Sequence, residues 1–184
     1  MTKKIYNPFQ FKKFSITQNN AAMKIGTDGI LIGAWANSSE STKALDIGSG
    51  TGIISIMIAQ RFEKIKIDSI EISKNAIIDA KENIKNCQWK NRINLIKKDF
   101  KKFTTNKKYD LIVSNPPFFI NSLKPIDKER SNARHKESLS YQDILEFSID
   151  HLIPKGSLNM ILPYIQNEIV IKSAKQVGLH LKRK

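Results

Sequence analysis

A mostly parallel α/β sheet with helices on both faces is the fold class this sequence predicts, and three observations carry it. Apolar strand-like runs alternate with stretches of helical periodicity from residue 43 to residue 177, the signature of βαβ units. The first run, Ala44-Leu45-Asp46-Ile47, ends in Gly48-Ser49-Gly50-Thr51-Gly52 and passes at once into the apolar residues 53–59, which reads as a strand, a glycine turn and a helix N-terminus. A later run, Leu111-Ile112-Val113, is unbroken by polar residues, as in a central strand covered on both faces.

Ahead of the first strand, residues 1–20 carry Lys3, Lys4, Lys12 and Lys13 between Phe9, Phe11 and Phe14, a basic aromatic arm or hairpin in which Phe9-Gln10-Phe11 alternates as a strand does. The apolar stretch 29–36 predicts a short helix with Thr27 or Asp28 as its cap, and residues 37–41 are a polar connection. After the glycine turn a helix is expected near 53–61 and a second strand over 64–72, ending in an acid. Ser73 then caps a helix to about Asn86, with Ala76, Ile77, Ala80 and Ile84 at helical spacing. Residues 92–99 alternate as a third strand and 109–114 form the fourth. Residues 119–139, with Pro125 and many charges, read as a long loop over the site. Ser140 caps a helix over 141–152, residues 156–162 form a fifth strand, and 164–177 a last helix.

With 184 residues the chain is expected to be one domain, 1–184, long enough to bury a core. Cys87 is its single cysteine and cannot form a disulfide within the chain. The basic N-terminus has no apolar segment behind it, and no run reaches the length of a membrane span, so a cytoplasmic protein without a membrane partner is expected. A net charge of +14 and a pI near 9.8 call for a polyanionic partner such as nucleic acid. Only five of the 31 basic residues are arginine, so a compositional drift toward lysine competes with that reading. The oligomeric state stays open, a monomer being favoured.

The glycine turn separates two cofactor classes. The dinucleotide fingerprint needs glycine or alanine five places after its first glycine, where this chain has Ile53. Asp46, Gly48, Gly50 and Gly52 instead resemble motif I of the class I methyltransferases, which implies a Rossmann-like fold and S-adenosylmethionine as cofactor. The sheet of that class normally ends in a sixth and a seventh strand. Here residues 179–184 are read as the start of the sixth, so the C-terminal strands are expected to be truncated and the edge of the fifth uncovered. Glu71, 19 residues beyond Gly52 at a strand end, is placed to accept ribose hydroxyls. The family likeness puts Asp99 on the adenine amino group and Phe100 on its ring.

Asn115-Pro116-Pro117-Phe118 closes the fourth strand. The prolines stiffen the backbone and remove donors, leaving the Asn115 side-chain oxygen and the Pro116 carbonyl as acceptors for a planar amine. Phe118 offers it a stacking face, and Asn115 borders the cofactor as well. The four residues resemble the N-P-P-Y/F motif of methyltransferases acting on planar amino groups. Positions 9–14, the run Met23-Lys24-Ile25-Gly26-Thr27-Asp28-Gly29-Ile30-Leu31-Ile32-Gly33-Ala34-Trp35-Ala36 and Ala133-Arg134-His135 narrow this further. Together they resemble the tRNA methyltransferases that act on adenine N6 beside the anticodon of a valine tRNA. That resemblance implies a tRNA partner, places Lys24, Thr27 and Asp28 near the methionine end of the cofactor, and places Arg134 and His135 near the substrate. Glutamine N5 methylation of release factors, guanine N2 methylation of ribosomal RNA and an inactive RNA-binding relic are the alternatives. The three histidines show no ligand spacing, and no metal site is expected.

Overall fold

A computed structural model describes residues 6–37, 42–116 and 139–184. Two compact units are present, one made of residues 1–115 with 151–161 and the other of 116–150 with 162–184.

The first unit holds a five-stranded sheet in the order β5-β4-β3-β6-β7, every neighbouring pair parallel. Its strands are β3 (Lys43–Ile47), β4 (Lys66–Glu71), β5 (Ile93–Lys97), β6 (Tyr109–Ser114) and β7 (Leu152–Met160). From β3 the chain winds outward to β4 and β5, then returns to the other side of β3 to lay down β6. The reversal point lies between β3 and β6, and ligands of open α/β sheets sit at the carboxyl ends of the strands beside such a point. Ala44, Leu45 and Ile47 of β3 and Leu111, Ile112 and Val113 of β6 have no more than traces of exposed surface, as a doubly covered sheet centre demands.

Helices α1 (Thr27–Trp35), α2 (Ile53–Arg61) and α3 (Lys74–Asn86) complete this unit. α1 and α2 approach closely at Gly33, where an added Cβ would stand 2.6 Å from Met57 Sδ. The end of α2 is tied down by Arg92, which donates to the carbonyls of Ala59 and Phe62 at 2.6 Å each, satisfying acceptors that a helix C-terminus leaves open. β1 (Phe9–Gln10) and β2 (Ser15–Ile16) form the expected hairpin. Phe11 stacks on Phe14 at 4.5 Å, and Phe14 meets Trp89 edge-on at 6.1 Å. Because Trp89 lies just before the start of β5, the hairpin turn with Lys12 and Lys13 sits toward the amino ends of the strands, opposite the glycine turn.

Four local expectations change. α1 has Gly26 as its N-cap residue with no side-chain cap, so neither Thr27 nor Asp28 caps it; Thr27 is already the first helical residue. The third strand stops at Lys97, and Asp99 instead caps the short turn Phe100–Lys102 by accepting from Lys101 N at 3.0 Å. β7 begins at Leu152 rather than 156, because Pro154 and Gly156 stand in an irregular stretch of the strand and do not break it. Lys155 there has φ +68°, and a Cβ on Gly156 would come within 2.9 Å of the Ile153 carbonyl oxygen. Residues 179–184 form no strand. The loop expected over 119–139 lies, but for its last residue, outside the described residues.

The second unit contains most of α4 (Tyr141–His151) and all of α5 (Asn167–Gln176). α4 starts with a reciprocal cap: Ser140 Oγ accepts from Asp143 N at 3.2 Å while Asp143 Oδ2 accepts from Ser140 N at 2.9 Å. No helix among the described residues is long and apolar enough to cross a membrane.

Candidate functional site

Strand register lines up the residues singled out by chemistry. Ile47 pairs with Ile70 on one side and with Ser114 on the other, so Gly48, Glu71 and Asn115 stand side by side, each one residue further on. Glu71 in turn pairs with Lys97, two residues before Asp99. Along the carboxyl edge the order is therefore Asp99, Glu71, Gly48, Asn115. With strands about 4.8 Å apart, the row spans about 14 Å, the length of an extended nucleoside derivative.

The turn that opens this edge is left-handed at each glycine, with φ of +73° at Gly48, +58° at Gly50 and +82° at Gly52. Side chains avoid that region. Gly48 N and Ser49 N both donate to Ile70 O at 2.9 Å, and Gly52 N donates to Ser49 O at 2.8 Å. A Cβ built on Gly50 meets nothing within 4 Å, so a ligand has open access to the backbone there. Beneath the turn, a Cβ on Gly52 would lie 3.6 Å from Ile84 and 3.7 Å from Ala80, both on α3.

The acids divide into different tasks. Glu71 is 8% exposed, and its carboxylate gathers three backbone N–H groups: Gly50 at 2.7 Å on Oε2, and Ile72 at 2.9 Å and Ser73 at 2.7 Å on Oε1. A carboxylate has about four acceptor directions, so one remains open on Oε2. Asp46 is wholly buried; its Oδ2 accepts from Ser55 N at 3.1 Å and Ser55 Oγ at 2.7 Å, pinning the start of α2 to the end of β3. Its Oδ1 has no partner among the described residues.

Burial, reinforced by the nearby Glu71 charge and opposed by the Ser55 bonds, raises the Asp46 carboxyl from 3.8 to about 7. A carboxyl raised on folding favours the folded state below its unfolded value, and that contribution is lost as pH rises through about 7. Asp46→Asn cannot titrate. From about pH 5 to about pH 8 the melting temperature of the variant is therefore expected to rise relative to the parent chain, read by thermal melts at both pH values.

Asn115 is half-buried, directly beyond β6, and Pro116 follows it; Ser114 fastens this strand end by donating from Oγ to Ile47 O at 2.8 Å. Pro117, Phe118, Arg134 and His135 lie outside the described residues. Phe100 is buried beside Asp99. Thr27 is exposed at the start of α1, two residues before Gly29, whose Cβ would lie 3.7 Å from Ile53 at the start of α2. Lys24 is also exposed, but its ammonium folds back onto the carbonyls of Gln18 and Ala21.

Sequence reasoning missed Ser55, Asp79 and Asn83. The signal for the last two was available: they are polar residues four apart, on the face of α3 that also carries Ala76, Ala80 and Ile84. Among the described residues no group of three His, Cys, Asp or Glu side chains is arranged to hold a metal ion.

Comparison with known proteins adds to this geometry. Residues 20–167 match the family described as "Methyltransferase small domain". The chain is 44% identical over 182 residues to the tRNA1(Val) (adenine(37)-N6)-methyltransferase of Trichodesmium erythraeum, covering 97% of this chain and 76% of the relative. It is 45% identical over 176 residues to the protein of the same name from Parabacteroides distasonis, covering 94% and 74%. Among solved structures, precorrin-6y C5,15-methyltransferase from Geobacter metallireducens matches with TM-score 0.62 at 13% identity, covering 86% of this chain and 74% of that one. A methyltransferase from Pyrococcus furiosus matches with TM-score 0.56 at 20% identity, covering 81% and 69%. Identities this low carry the fold alone.

Proposed function

Because the chain belongs to the methyltransferase small-domain family, and within it to the tRNA1(Val) (adenine(37)-N6)-methyltransferases, we propose that it transfers a methyl group from S-adenosylmethionine to N6 of adenine 37 in a valine tRNA. The observation that carries this reading is the register of Asn115 beside Gly48 and Glu71, on the edge where the left-handed glycine turn leaves open backbone.

The site suits this cofactor. The open space at Gly50, the free acceptor direction on Glu71 and the acid at Asp99 match an adenosine that ends in a cation and carries no phosphate. S-adenosylmethionine supplies an electrophilic methyl group. Glu71 holds the ribose through Oε2, Asp99 accepts from the adenine amino group, and Phe100 flanks the ring. At the other end of the row, Asn115 Oδ1 and the Pro116 carbonyl would accept from the target amine and leave its lone pair free for the methyl group. Phe118 stacks on the base once it has left the anticodon stack. Holding both reactants in line is the main catalytic contribution of the chain.

Lys12 and Lys13 lie at the other end of the sheet from this row, so they grip phosphates away from the target base; Arg134 and His135 are the other proposed RNA contacts. Changing Lys12 and Lys13 together to Ala is expected to weaken tRNA binding and to reduce the slope of log affinity against log salt by about 1.5–2, with turnover at saturating tRNA little changed. Filter binding across a salt series beside single-turnover kinetics checks this. The reading also places the protein in the cytoplasm with its tRNA.

The function itself is tested by incubating the chain with labelled S-adenosylmethionine and valine tRNA and analysing the nucleosides. Label in N6-methyladenosine supports it. Label in N2-methylguanosine, or in protein rather than RNA, overturns the substrate assignment.

A further inference from the structure

Two buried polar side chains on α3 have no place in the reaction as described. Asp79 is fully buried and Asn83 is 2% exposed. A buried polar group destabilises unless it is hydrogen-bonded, and both satisfy themselves on one stretch, residues 17–25, that is neither helix nor strand. Asn83 Oδ1 accepts from Thr17 N at 2.7 Å, and its Nδ2 donates to Thr17 O at 2.8 Å and to Thr51 O at 2.9 Å. Thr51 lies inside the glycine turn, so this one amide holds the turn and the stretch together. Asp79 accepts from Asn20 N at 2.8 Å, Ala21 N at 2.6 Å and Asn20 Nδ2 at 2.5 Å. The stretch then closes on itself: Gln18 Oε1 accepts from Ile25 N at 2.8 Å, and Lys24 Nζ donates to Ala21 O at 2.9 Å.

We propose that Asp79 and Asn83 are positioning residues for S-adenosylmethionine, holding residues 17–25 against the glycine turn as a wall of the cofactor pocket. The proposal rests on the cofactor reading above. Apolar residues of similar size would fill the same space on α3, but would strand the N–H groups of Thr17, Asn20 and Ala21 and release the turn from the stretch. Neither residue touches the methyl group or the base; both act through the backbone they hold.

The test uses the full chain with two near-isosteric variants. Asn83→Asp keeps the acceptor and loses both donors; Asp79→Asn loses the charge and one acceptor, and serves if the first does not fold. S-adenosylmethionine is titrated calorimetrically without RNA, and KM is measured for cofactor and tRNA separately. The expected result is an affinity for S-adenosylmethionine about tenfold weaker, with its KM raised in proportion, the loss of two hydrogen bonds of ordinary strength. KM for tRNA and kcat stay within about twofold, and amide exchange quickens over residues 17–25. Unchanged cofactor affinity in the variants overturns the proposal. So does a parallel loss of cofactor affinity, tRNA affinity and melting temperature, which is what a purely structural role produces. A parent chain that takes up no S-adenosylmethionine overturns the function reading and this proposal with it.

Discussion

Asn115→Ala is expected to lower the rate of methyl transfer by about 10²–10³-fold or more while leaving S-adenosylmethionine and tRNA binding nearly intact. Its side chain is the group the reading assigns to the reacting nitrogen, and an acceptor placed at the point of charge change acts on the transition state more than on either bound reactant. The backbone around it is otherwise secured, since Ser114 Oγ is bonded to Ile47 O at 2.8 Å and Ile161 N to Ser114 O at 3.3 Å. The deletion therefore leaves the strand end in place. Single-turnover methylation of valine tRNA, beside calorimetric titration of the cofactor, separates the effects. A fall in cofactor affinity as large as the fall in rate would move Asn115 from the reaction to the binding of the methyl donor.

Glu71→Ala is expected to weaken S-adenosylmethionine binding by about 10²-fold and to lower stability by about 1–3 kcal/mol. The two effects have one origin. The carboxylate is the proposed charged acceptor for the ribose, and it also holds Gly50, Ile72 and Ser73 through their N–H groups, so removing it deprives those three donors of their partner and frees the glycine turn. Glu71→Gln keeps an acceptor and is expected to fall between the parent and the alanine variant. Calorimetry and thermal melting measure both, and unchanged affinity in Glu71→Ala would place the ribose elsewhere.

The order and approximate bounds of the elements from β3 through α3 were legible, because the signals that set them are local. An apolar run ending in β-branched Ile47, three glycines at alternate positions, a capping serine and a helical apolar stripe each act within a few residues. What sequence reasoning lost was set at longer range. Pro154 and Gly156 look like a break until β6 is alongside, where the close approach of the Ile153 and Tyr109 carbonyls explains the glycine and the strand runs on through it. Asp79 and Asn83 stand on the apolar face of α3 by spacing alone, but their partners lie on a stretch some 60 residues away that no local signal points to. Glu71 was readable as an acid at a strand end, but not that three amides already claim it.

The bifurcated acceptor at Ile70 bears on selectivity in a cell crowded with adenine compounds. ATP and the nicotinamide dinucleotides share the base and sugar of S-adenosylmethionine, and differ in trailing phosphates. Gly48 N and Ser49 N are both committed to Ile70 O, Gly52 N to Ser49 O and Gly50 N to Glu71, so these four amides are turned inward. A phosphate arriving here meets amides already spoken for and a carboxylate of its own sign, whereas a ligand with a cationic tail meets no such repulsion. At the proposed site, discrimination against phosphorylated competitors would follow from how the turn and the Glu71 carboxylate together satisfy these amides.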